Sequence, residues 1–509
     1  MTDSSTRTPV VVPALTGQFL GHPRGLATLF FIEMWERFSY YGMRALLILY
    51  MTAAARRGGL GLGDESAGAI YGLYTGGAYL CTLPGGWIAD RLIGRRAAVS
   101  CGGALIALGN LLLALGARPE RFYLGLLVIA LGTGLLKPNA SCLVGELYEG
   151  DSGARRDAGF SIYYLGINAG AFLAPFVAGT LGETVGYHWG FLAAALAMTL
   201  GLVQYRATSR WLGGAGERPR PPSARRDWLL LSAAIAALAA LVVAVASGAV
   251  HLRALVLARE AGGFMLALAV LFFLAVTLGG RLTALERRRV AVLAIFFVAA
   301  AVFWAGYEQA GSSLNLFARD YTDRSLFGGW FSSGKHPASW YQSFQAVFIL
   351  LLAPVFAWLW IALERRRSDP SAPMKLGLGL VQLALSFLVM TAATRLILHT
   401  GRLAAPGWLV LTYLLQTTGE LCLSPVGLSN VTKLAPRRFA GQMMGVWFLG
   451  TAIGNLAAGL LGGEAVASGA TQMARQFLDV AMIAGGAGLA LIAAARPVRA
   501  WASEDARAP

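Results

Sequence analysis

The stretch Gly86-Trp87-Ile88-Ala89-Asp90-Arg91-Leu92-Ile93-Gly94-Arg95-Arg96 is a short charged segment between two long apolar runs. Runs of about 20 apolar residues are long enough to cross a bilayer as helices. Across its 509 residues the chain is 56% hydrophobic and 13% charged, with a mean hydropathy of +0.60. Soluble proteins carry about a quarter charged residues. The segment is therefore predicted to be a loop between two transmembrane helices, and the composition excludes a soluble enzyme.

The same length rule predicts about fourteen transmembrane helices in groups of six, two and six. The predicted spans are 26–51, 67–89, 97–115, 123–146, 160–181, 189–204, 228–250, 262–278, 290–310, 343–363, 376–398, 407–428, 443–461 and 477–494. We predict an all-α polytopic membrane protein in three parts. A six-helix bundle covers 1–210, a basic linker with an inserted helix pair covers 211–286, and a second six-helix bundle covers 287–509.

The basic residues indicate how the helices are oriented. The net charge is +16, and 38 of the 42 basic residues are arginine; the lysines are Lys137, Lys335, Lys375 and Lys433. In a soluble protein this charge would indicate nucleic acid. Here alternate loops and the two termini hold about 27 basic residues against about 12 in the other loops, which is the bias that orients membrane helices. We therefore expect a multi-pass protein of the bacterial inner membrane, with both termini cytoplasmic and no nucleic-acid partner.

Two groups of six helices joined by a basic linker resemble the major facilitator architecture. In that architecture two pseudo-symmetric bundles surround a site at the middle of the membrane. The segment 86–96, between the second and third spans, resembles the loop signature of this superfamily. The resemblance implies a major facilitator fold of two six-helix bundles plus the inserted pair.

The first span carries charged residues that should be rare inside a bilayer. Glu33, Glu36 and Arg37 share one helix face because they are spaced at i, i+3 and i+4. The face continues with Tyr40, Tyr41 and Arg44. Arg37 falls near the middle of the span, and ionisable groups at that depth cost several kcal/mol and are functional candidates. The alternative is an interfacial salt bridge whose side chains reach water.

Three further ionisable residues lie in apolar spans. Lys137 is the only lysine in the first half of the chain, Glu308 ends an otherwise uncharged span, and Glu420 lies in the middle of one. Lys137 could instead anchor a helix end, Glu308 could sit at the outer interface, and Glu420 could be structural. The Ser-Pro pair at Ser424 and Pro425 predicts a loosened helix next to Glu420, as in discontinuous transporter helices.

Together these groups predict an amphoteric cavity. Its cations would attract a carboxylate and Glu420 would attract an ammonium group, which suits a zwitterion. A carboxylate in a low-dielectric site can carry a proton near neutral pH. Glu33 or Glu36 would then load and release a proton.

The same segments, in this order, resemble the proton-dependent oligopeptide transporter (POT) family. The matching motifs are Glu-x-x-Glu-Arg-Phe-x-Tyr-Tyr-Gly at 33–42, Gly-x-Gly-x-x-Lys-Pro-Asn at 132–139, and the segments 160–170, 303–309 and 420–429. The resemblance covers nearly the whole chain. It implies proton-driven uptake of di- and tripeptides by alternating access, in a monomer without cofactor or metal. It implies a secondary active transporter and not an enzyme, with peptide, protons and the lipid bilayer as its partners.

The resemblance also implies roles for individual residues. Proton coupling falls to Glu33, Glu36, Arg37, Lys137 and Glu308, with Lys137 and Glu308 paired. The peptide carboxylate is attracted by Arg37, Arg44 and Lys137, and the peptide amine by Asn168 and Glu420. The pockets for peptide side chains are lined by Tyr40, Tyr41, Tyr79 and Trp447.

One position departs from the family pattern. Gln345-Ala346 stands where family members usually have Asn-Pro near the amino end of the peptide. Glutamine keeps the amide but reaches one methylene farther, so Gln345 could reshape the amine pocket. The alternative function is a proton symporter of the same fold for another small anion or zwitterion, such as nitrate or a modified peptide. A polytopic membrane enzyme and a passive channel remain as alternatives from other classes.

Overall fold

The computed structural model describes residues 18–116, 118–151, 153–217, 224–467 and 469–502. Within these ranges eighteen α-helices make up most of the chain. They are α1 (Gly25–Thr52), α2 (Asp64–Leu80), α3 (Thr82–Ile88), α4 (Arg95–Ala114), α5 (Pro119–Glu146), α6 (Gly153–Ala174), α7 (Thr180–Thr184), α8 (Tyr187–Thr208), α9 (Arg225–Ala246), α10 (Ala254–Gly279), α11 (Ala284–Tyr307), α12 (Ser313–Asp320), α13 (Ser343–Arg365), α14 (Ala372–Thr400), α15 (Gly407–Leu434), α16 (Ala440–Ala467), α17 (Gly469–Ala493) and α18 (Ala495–Ala502). Two short strands, β1 (Gln18–Phe19) and β2 (His22–Pro23), pair antiparallel before α1.

Eleven helical segments of the described ranges are long and apolar enough to cross a membrane. The other three predicted spans coincide with α1, α2 and α15. Charged or polar side chains interrupt α1 and α15, and α2 has only 17 residues before the chain bends into α3. The all-α polytopic fold is confirmed, and the inserted helix pair corresponds to α9 and α10.

Two separate apolar cores hold the helices together. Tyr71, Phe122 and Phe191 belong to a core built mainly by α1, α2, α4, α5 and α8. Phe303 and Phe387 belong to a second core built mainly by α11, α14, α15, α16 and α17. We call these two groups of helices the N-terminal half and the C-terminal half.

The expectation of a loosened helix beside Glu420 is wrong. The helix α15 runs without a break from Gly407 to Leu434, with Pro425 inside it. Proline removes one backbone hydrogen bond, and membrane helices tolerate this loss where neighbouring groups satisfy the freed carbonyl. The carbonyl freed by Pro425 is that of Leu421, four residues earlier in the buried part of α15.

The two halves approach most closely where α2 meets α16. A Cβ atom at Gly68 would lie 2.4 Å from the carbonyl oxygen of Gly459, and one at Gly72 would lie 2.7 Å from that of Leu456. Real Cβ atoms do not come so close to a carbonyl oxygen, so these positions require glycine. Small residues allow this close backbone contact between membrane helices.

The inserted pair lies on the outside of this boundary. In α10, Met265 and Ala269 pack in one apolar cluster with Ala69 of α2 and Leu456 of α16. Along α9, Asp227 is the only residue that the protein buries within the described ranges. Most of the rest of α9 is exposed on the outer surface of the protein.

Candidate substrate and proton site

The site is centred on a charged cluster inside α1. The Nε atom of Arg37 lies 3.3 Å from Glu33 Oε1 and also donates to the carboxylate of Glu36. The hydroxyl of Tyr163 in α6 donates to Glu33 Oε2 at 2.7 Å. Arg37 is 4% exposed and Glu36 is fully buried. Removing charges from water is costly unless they are paired and hydrogen-bonded, and here two carboxylates share one guanidinium.

Lys137 in α5 supplies the second cation. Its Nζ atom lies 4.0 Å from the centre of the Tyr79 ring, and it interacts electrostatically with Glu33 and Glu36. Among the described residues it forms no ion pair. A small cavity of about 10 Å³, room for about one water molecule, lies between these side chains; it is lined by Arg37, Tyr40, Ala78, Tyr79, Thr133 and Lys137. Lys137 is therefore placed to bind an incoming carboxylate.

The implied pairing of Lys137 with Glu308 is wrong for this conformation. Glu308 follows the last residue of α11, and its Oε2 atom lies 2.7 Å from Nη2 of Arg44. The Nε atom of Arg44 also donates to the hydroxyl of Tyr71 at 2.6 Å. Arg44 lies two helical turns beyond Arg37, about 10 Å along α1, so it is level with the end of α11. This buried ion pair joins the two halves.

Glu420 lies in the C-terminal half with few partners. It interacts with the hydroxyl of Tyr307, and its Oε2 atom is buried without a hydrogen-bond partner in the described part of the chain. Nearby in sequence on α15, the side-chain oxygen of Gln416 accepts from Nε2 of Gln345 at 3.4 Å. The Nε2 group of Gln416 is likewise buried without a partner there. This part of the C-terminal half therefore offers one carboxylate and two amides.

Asn168 and Trp447 have less direct positions. Asn168 is buried and donates its side-chain amide to the carbonyl of Tyr164, one turn earlier in α6. Trp447 packs against Gly427 of α15, where an added Cβ would lie 2.1 Å from its ring. Trp447 belongs to the core of the C-terminal half, and its role in a side-chain pocket stays a prediction.

Each of two adjacent tyrosines of α1 lies beside one of the arginines. The rings of Tyr40 and Tyr41 lie 5.2 Å apart, nearly perpendicular to each other. The guanidinium of Arg37 lies 5.1 Å from the Tyr40 ring, and that of Arg44 lies 5.7 Å from the Tyr41 ring. Cation–π contacts of this kind hold an arginine in place without neutralising it.

Three hydroxyl groups in the site were not predicted from the sequence. They belong to Tyr71, Tyr163 and Tyr307, which bond to Arg44, Glu33 and Glu420 respectively. Tyr163 lies inside the motif at 160–170, and that motif was the available signal. Tyr71 lies outside every motif, so only the structure reveals it.

Further bonds between the halves lie at the helix ends opposite the 86–96 segment. Glu183, just before the end of α7, accepts from the backbone N–H groups of Ala338 at 2.8 Å and Ser339 at 2.9 Å. Trp340 Nε1 donates to Thr180 at 2.8 Å. Asn315 in α12 donates to the carbonyl of Ala45 at 2.8 Å. These bonds hold the N-terminal and C-terminal halves together on that side.

The arrangement combines buried charges of both signs. Within the described residues no group of three or more His, Cys, Asp or Glu side chains could hold a metal ion. The site instead joins two carboxylates that share Arg37, a lysine beside a small cavity, and a carboxylate in the other half. Groups of both signs in one site suit a ligand that carries both charges.

Comparisons with known proteins identify the family to which the chain belongs. A family model described as the POT family matches residues 96–470. A peptide transporter of Yersinia enterocolitica is 42% identical over 461 residues, covering 88% of this chain and 88% of the relative. A di-/tripeptide transporter of Lactococcus lactis subsp. cremoris is 40% identical over 441 residues, covering 85% of this chain and 87% of the relative.

Solved structures match nearly the whole chain. The crystal structure of a peptide transporter POT in complex with sulfate superposes with a TM-score of 0.87 at 39% identity, covering 95% of this chain and 96% of that one. A POT family transporter in complex with 5-aminolevulinic acid superposes with a TM-score of 0.85 at 34% identity, covering 94% of this chain and 98% of that one. This chain therefore belongs to the POT family, and it is a multi-pass membrane transporter and not an enzyme.

Proposed function

We propose that this protein imports di- and tripeptides together with protons, by alternating access between its two halves. The observation that carries the proposal is the buried cluster of Glu33, Glu36 and Arg37 beside Lys137, whose ammonium group faces a cavity. Relatives named peptide transporter and di-/tripeptide transporter, at 40% identity or more, support the same substrate class.

Opposite charges in the two halves would bind opposite ends of the substrate. Lys137, with Arg37 and Arg44, would attract the carboxylate end of the peptide. Glu420 would attract the ammonium end, with Asn168 and the amide of Gln345 as further polar groups. A free dipeptide carries both charges, and a free amino acid carries them too close together to reach both sides.

The cluster also supports a coupling mechanism. Arg37 is shared by Glu33 and Glu36, so protonation of one carboxylate leaves a balanced pair with the other. A peptide carboxylate that approaches Lys137 and Arg37 would compete with the glutamates for positive charge. Proton uptake by a glutamate relieves this competition, and proton loss returns both cations to the glutamates and releases the peptide.

The bonds between the halves support an inward-facing conformation. They include the Arg44–Glu308 ion pair and the bonds of Glu183 to the start of the segment before α13. This side carries few arginines, so the positive-inside rule makes it the outer side. During the cycle, opening on the outside would separate Arg44 from Glu308, and Lys137 would then become a partner for Glu308.

We assign the chain three parts: a bundle over 1–210, a linker with the inserted pair over 211–286, and a bundle over 287–509. Residues 1–17, 218–223 and 503–509 lie outside the described residues, so both termini and part of the linker are placed from the sequence alone. We further assign both termini to the cytoplasm of a bacterial cell, and a monomer driven by the proton gradient without a cofactor.

A second candidate is a proton symporter of the same fold for another small zwitterion or anion. Gln345 favours it, because the amide of Gln345 bonds to Gln416. The resemblance implies an Asn-Pro pair at this position, in place of Gln345-Ala346. The similar structure in complex with 5-aminolevulinic acid shows that one POT family transporter binds such a compound.

Uptake of labelled dialanine into proteoliposomes, with an inward acid gradient and with an uncoupler, tests the proposal. We expect accumulation that requires the gradient and that trialanine inhibits but free alanine does not. Unlabelled 5-aminolevulinic acid and nitrate, added as competitors, test the second candidate. Absence of dialanine uptake by folded protein, together with gradient-driven uptake of either competitor, would replace the first candidate by the second.

A further inference from the structure

A large pocket opens in the C-terminal half, far from the site described above. Its volume is about 670 Å³, and it lies between the beginning of α11, the end of α15, the loop from α13 to α14, and α18. All of its lining residues belong to the C-terminal half. The pocket opens on the side of the arginine-rich loops, where α14 begins.

The pocket gathers positive charge. The charged side chains that line it are Glu364, Arg367, Asp369, Lys375, Lys433 and Arg499, four cations against two carboxylates. The chain has only four lysines, and two of them are here. Lysine offers a compact charge with three rotatable donors, which suits a phosphate group.

Lys375 is held in an ion pair, and the other cations that line the pocket are free to bind an anion. Lys375 is buried; its Nζ atom lies 2.8 Å from Asp369 Oδ1 and 4.2 Å from the centre of the Trp360 ring. Within the described ranges Lys433, Arg367 and Arg499 form no ion pair, and all three are exposed to the pocket side. Asp369 is paired with Lys375. Glu364 is therefore the remaining carboxylate in the lining that could balance Lys433, Arg367 and Arg499.

In the N-terminal half, a carboxylate occupies the helix position that corresponds to Lys433. Both α5 and α15 have 28 residues and an internal proline, Pro138 and Pro425. The residue eight positions after the proline is Glu146 in α5 and Lys433 in α15.

Both carboxylate oxygens of Glu146 accept hydrogen bonds. Glu146 accepts a hydrogen bond from Arg95, which comes from the 86–96 segment, and one from the backbone N–H of Gly216 at 2.6 Å. In the N-terminal half a carboxylate of the chain therefore balances the loop arginine. In the C-terminal half the same helix position adds a cation instead.

The start of α14 adds to the positive potential of the pocket. Ser371 is the N-cap of this 29-residue helix and makes no capping hydrogen bond with its side chain. Ser371, Ala372 and Pro373 line the pocket. Unpaired N–H groups at a helix N-terminus favour a negative charge nearby.

We propose that this pocket binds a phosphate-bearing organic anion, held by Lys433, Arg367 and Arg499. The negative charge of this anion would balance the cations of the pocket, as the carboxylate of Glu146 balances Arg95 in the N-terminal half. The pocket is much larger than an inorganic phosphate, so it fits a phosphate ester. The ester could be the head group of an anionic phospholipid from the adjoining leaflet, as basic pockets between membrane helices bind, or a soluble phosphate ester.

The test uses the full-length protein and three charge reversals, two in the pocket and one as a control. Lys433→Glu changes the pocket. Arg402→Glu changes an exposed arginine just after α14, at the opposite end of that helix, and is the matched control. Arg499→Glu, on the exposed side of α18, is the second pocket variant and guards against a local folding defect at the end of α15.

Binding is measured by native mass spectrometry of protein from phosphatidylglycerol nanodiscs, and by titration of protein in phosphatidylcholine nanodiscs with glycerol 3-phosphate. We expect Lys433→Glu and Arg499→Glu each to weaken binding about tenfold or more, and Arg402→Glu to leave it unchanged. Retention of phosphatidylglycerol that glycerol 3-phosphate does not displace identifies a lipid site. Binding of glycerol 3-phosphate without lipid retention identifies a soluble ester.

Two results would overturn the proposal. One is equal binding by the wild type and both pocket variants, and the other is absence of binding of either probe by the wild type. Peptide uptake measured on the same variants keeps this test separate from the transport function, since neither Lys433 nor Arg499 belongs to the central site.

Discussion

The two halves of this transporter treat charge at the middle of the membrane differently. The N-terminal half concentrates it: Glu33, Glu36 and Arg37 bond to one another, and Lys137 shares their cavity. The C-terminal half has Glu420 with one hydroxyl partner, and amides nearby. The difference agrees with the proposed division of work, in which the first half would handle protons and the substrate carboxylate and the second half would recognise the amine.

The broadest effect, a loss of both uptake and peptide binding, is expected from Lys137→Ala, which removes the cation that lines the cavity. Both gradient-driven uptake and peptide binding should fall about a hundredfold, because truncating one partner of a buried charge pair costs about 2–5 kcal/mol. Uptake and equilibrium binding of labelled dialanine measure the two effects. Lys335→Ala, in an exposed loop, is the control. Normal activity of Lys137→Ala would remove this residue from the mechanism.

The second prediction distinguishes proton coupling from peptide binding within the N-terminal half. Glu33→Gln or Glu36→Gln should abolish uptake driven by a pH gradient and leave peptide counterflow at least partly intact, because only the proton-carrying group is lost. Paired uptake and counterflow assays on the same proteoliposomes check this, with exposed Glu149→Gln as the control. Equal loss of both activities would indicate that the glutamates hold the structure together.

Glu420→Gln tests the assignment of the amine to the C-terminal half. The KM for dialanine should rise about tenfold to a hundredfold, since a hydrogen bond to a charged group contributes about 1.5–3 kcal/mol. Inhibition by N-acetyl-dialanine, which lacks the ammonium group, should change little. If both compounds are weakened alike, Glu420 does not recognise the amine, and a carrier of simple anions such as nitrate gains support.

The smallest effect is expected from Gln345→Asn, which restores the amide usual in the family. The side chain shortens by one methylene, so the bond to Gln416 at 3.4 Å is lost while an amide remains. The KM for dialanine should change by about threefold or less, a difference below 1 kcal/mol. A change as large as that of Glu420→Gln would show that the C-terminal half distinguishes substrates mainly through this amide.

The sequence predicted the parts of the site that lie on one helix. The spacing of Glu33, Glu36 and Arg37 is enough to place them on one face, and the structure shows them bonded. Partners on different helices were harder to predict, because they depend on the relative depth of two helices and on the conformation. Glu308 therefore bonds to Arg44 where Lys137 was expected.

Two other features of the structure could not be predicted from local patterns. The hydroxyl of Tyr71 carries no charge, and nothing marks it among the other tyrosines of the spans until α2 is packed against α1. Pro425 normally signals a break, yet α15 continues through it. Its position within a packed bundle decides this, and the neighbouring residues in the sequence do not contain that information.

The close contact of α2 with α16 has a consequence for the speed of transport. At Gly68, Gly72 and Gly459 the helices touch through backbone atoms. Glycine has no side-chain rotamers, so separating or rotating these surfaces releases and recovers no side-chain entropy. Ala69 and Leu456 add apolar side-chain packing beside these glycines. We therefore expect the activation barrier between the outward-open and inward-open states to depend strongly on polar bonds such as Arg44–Glu308. Protonation can act on such bonds directly, and it could not act on an interface of interlocked apolar side chains.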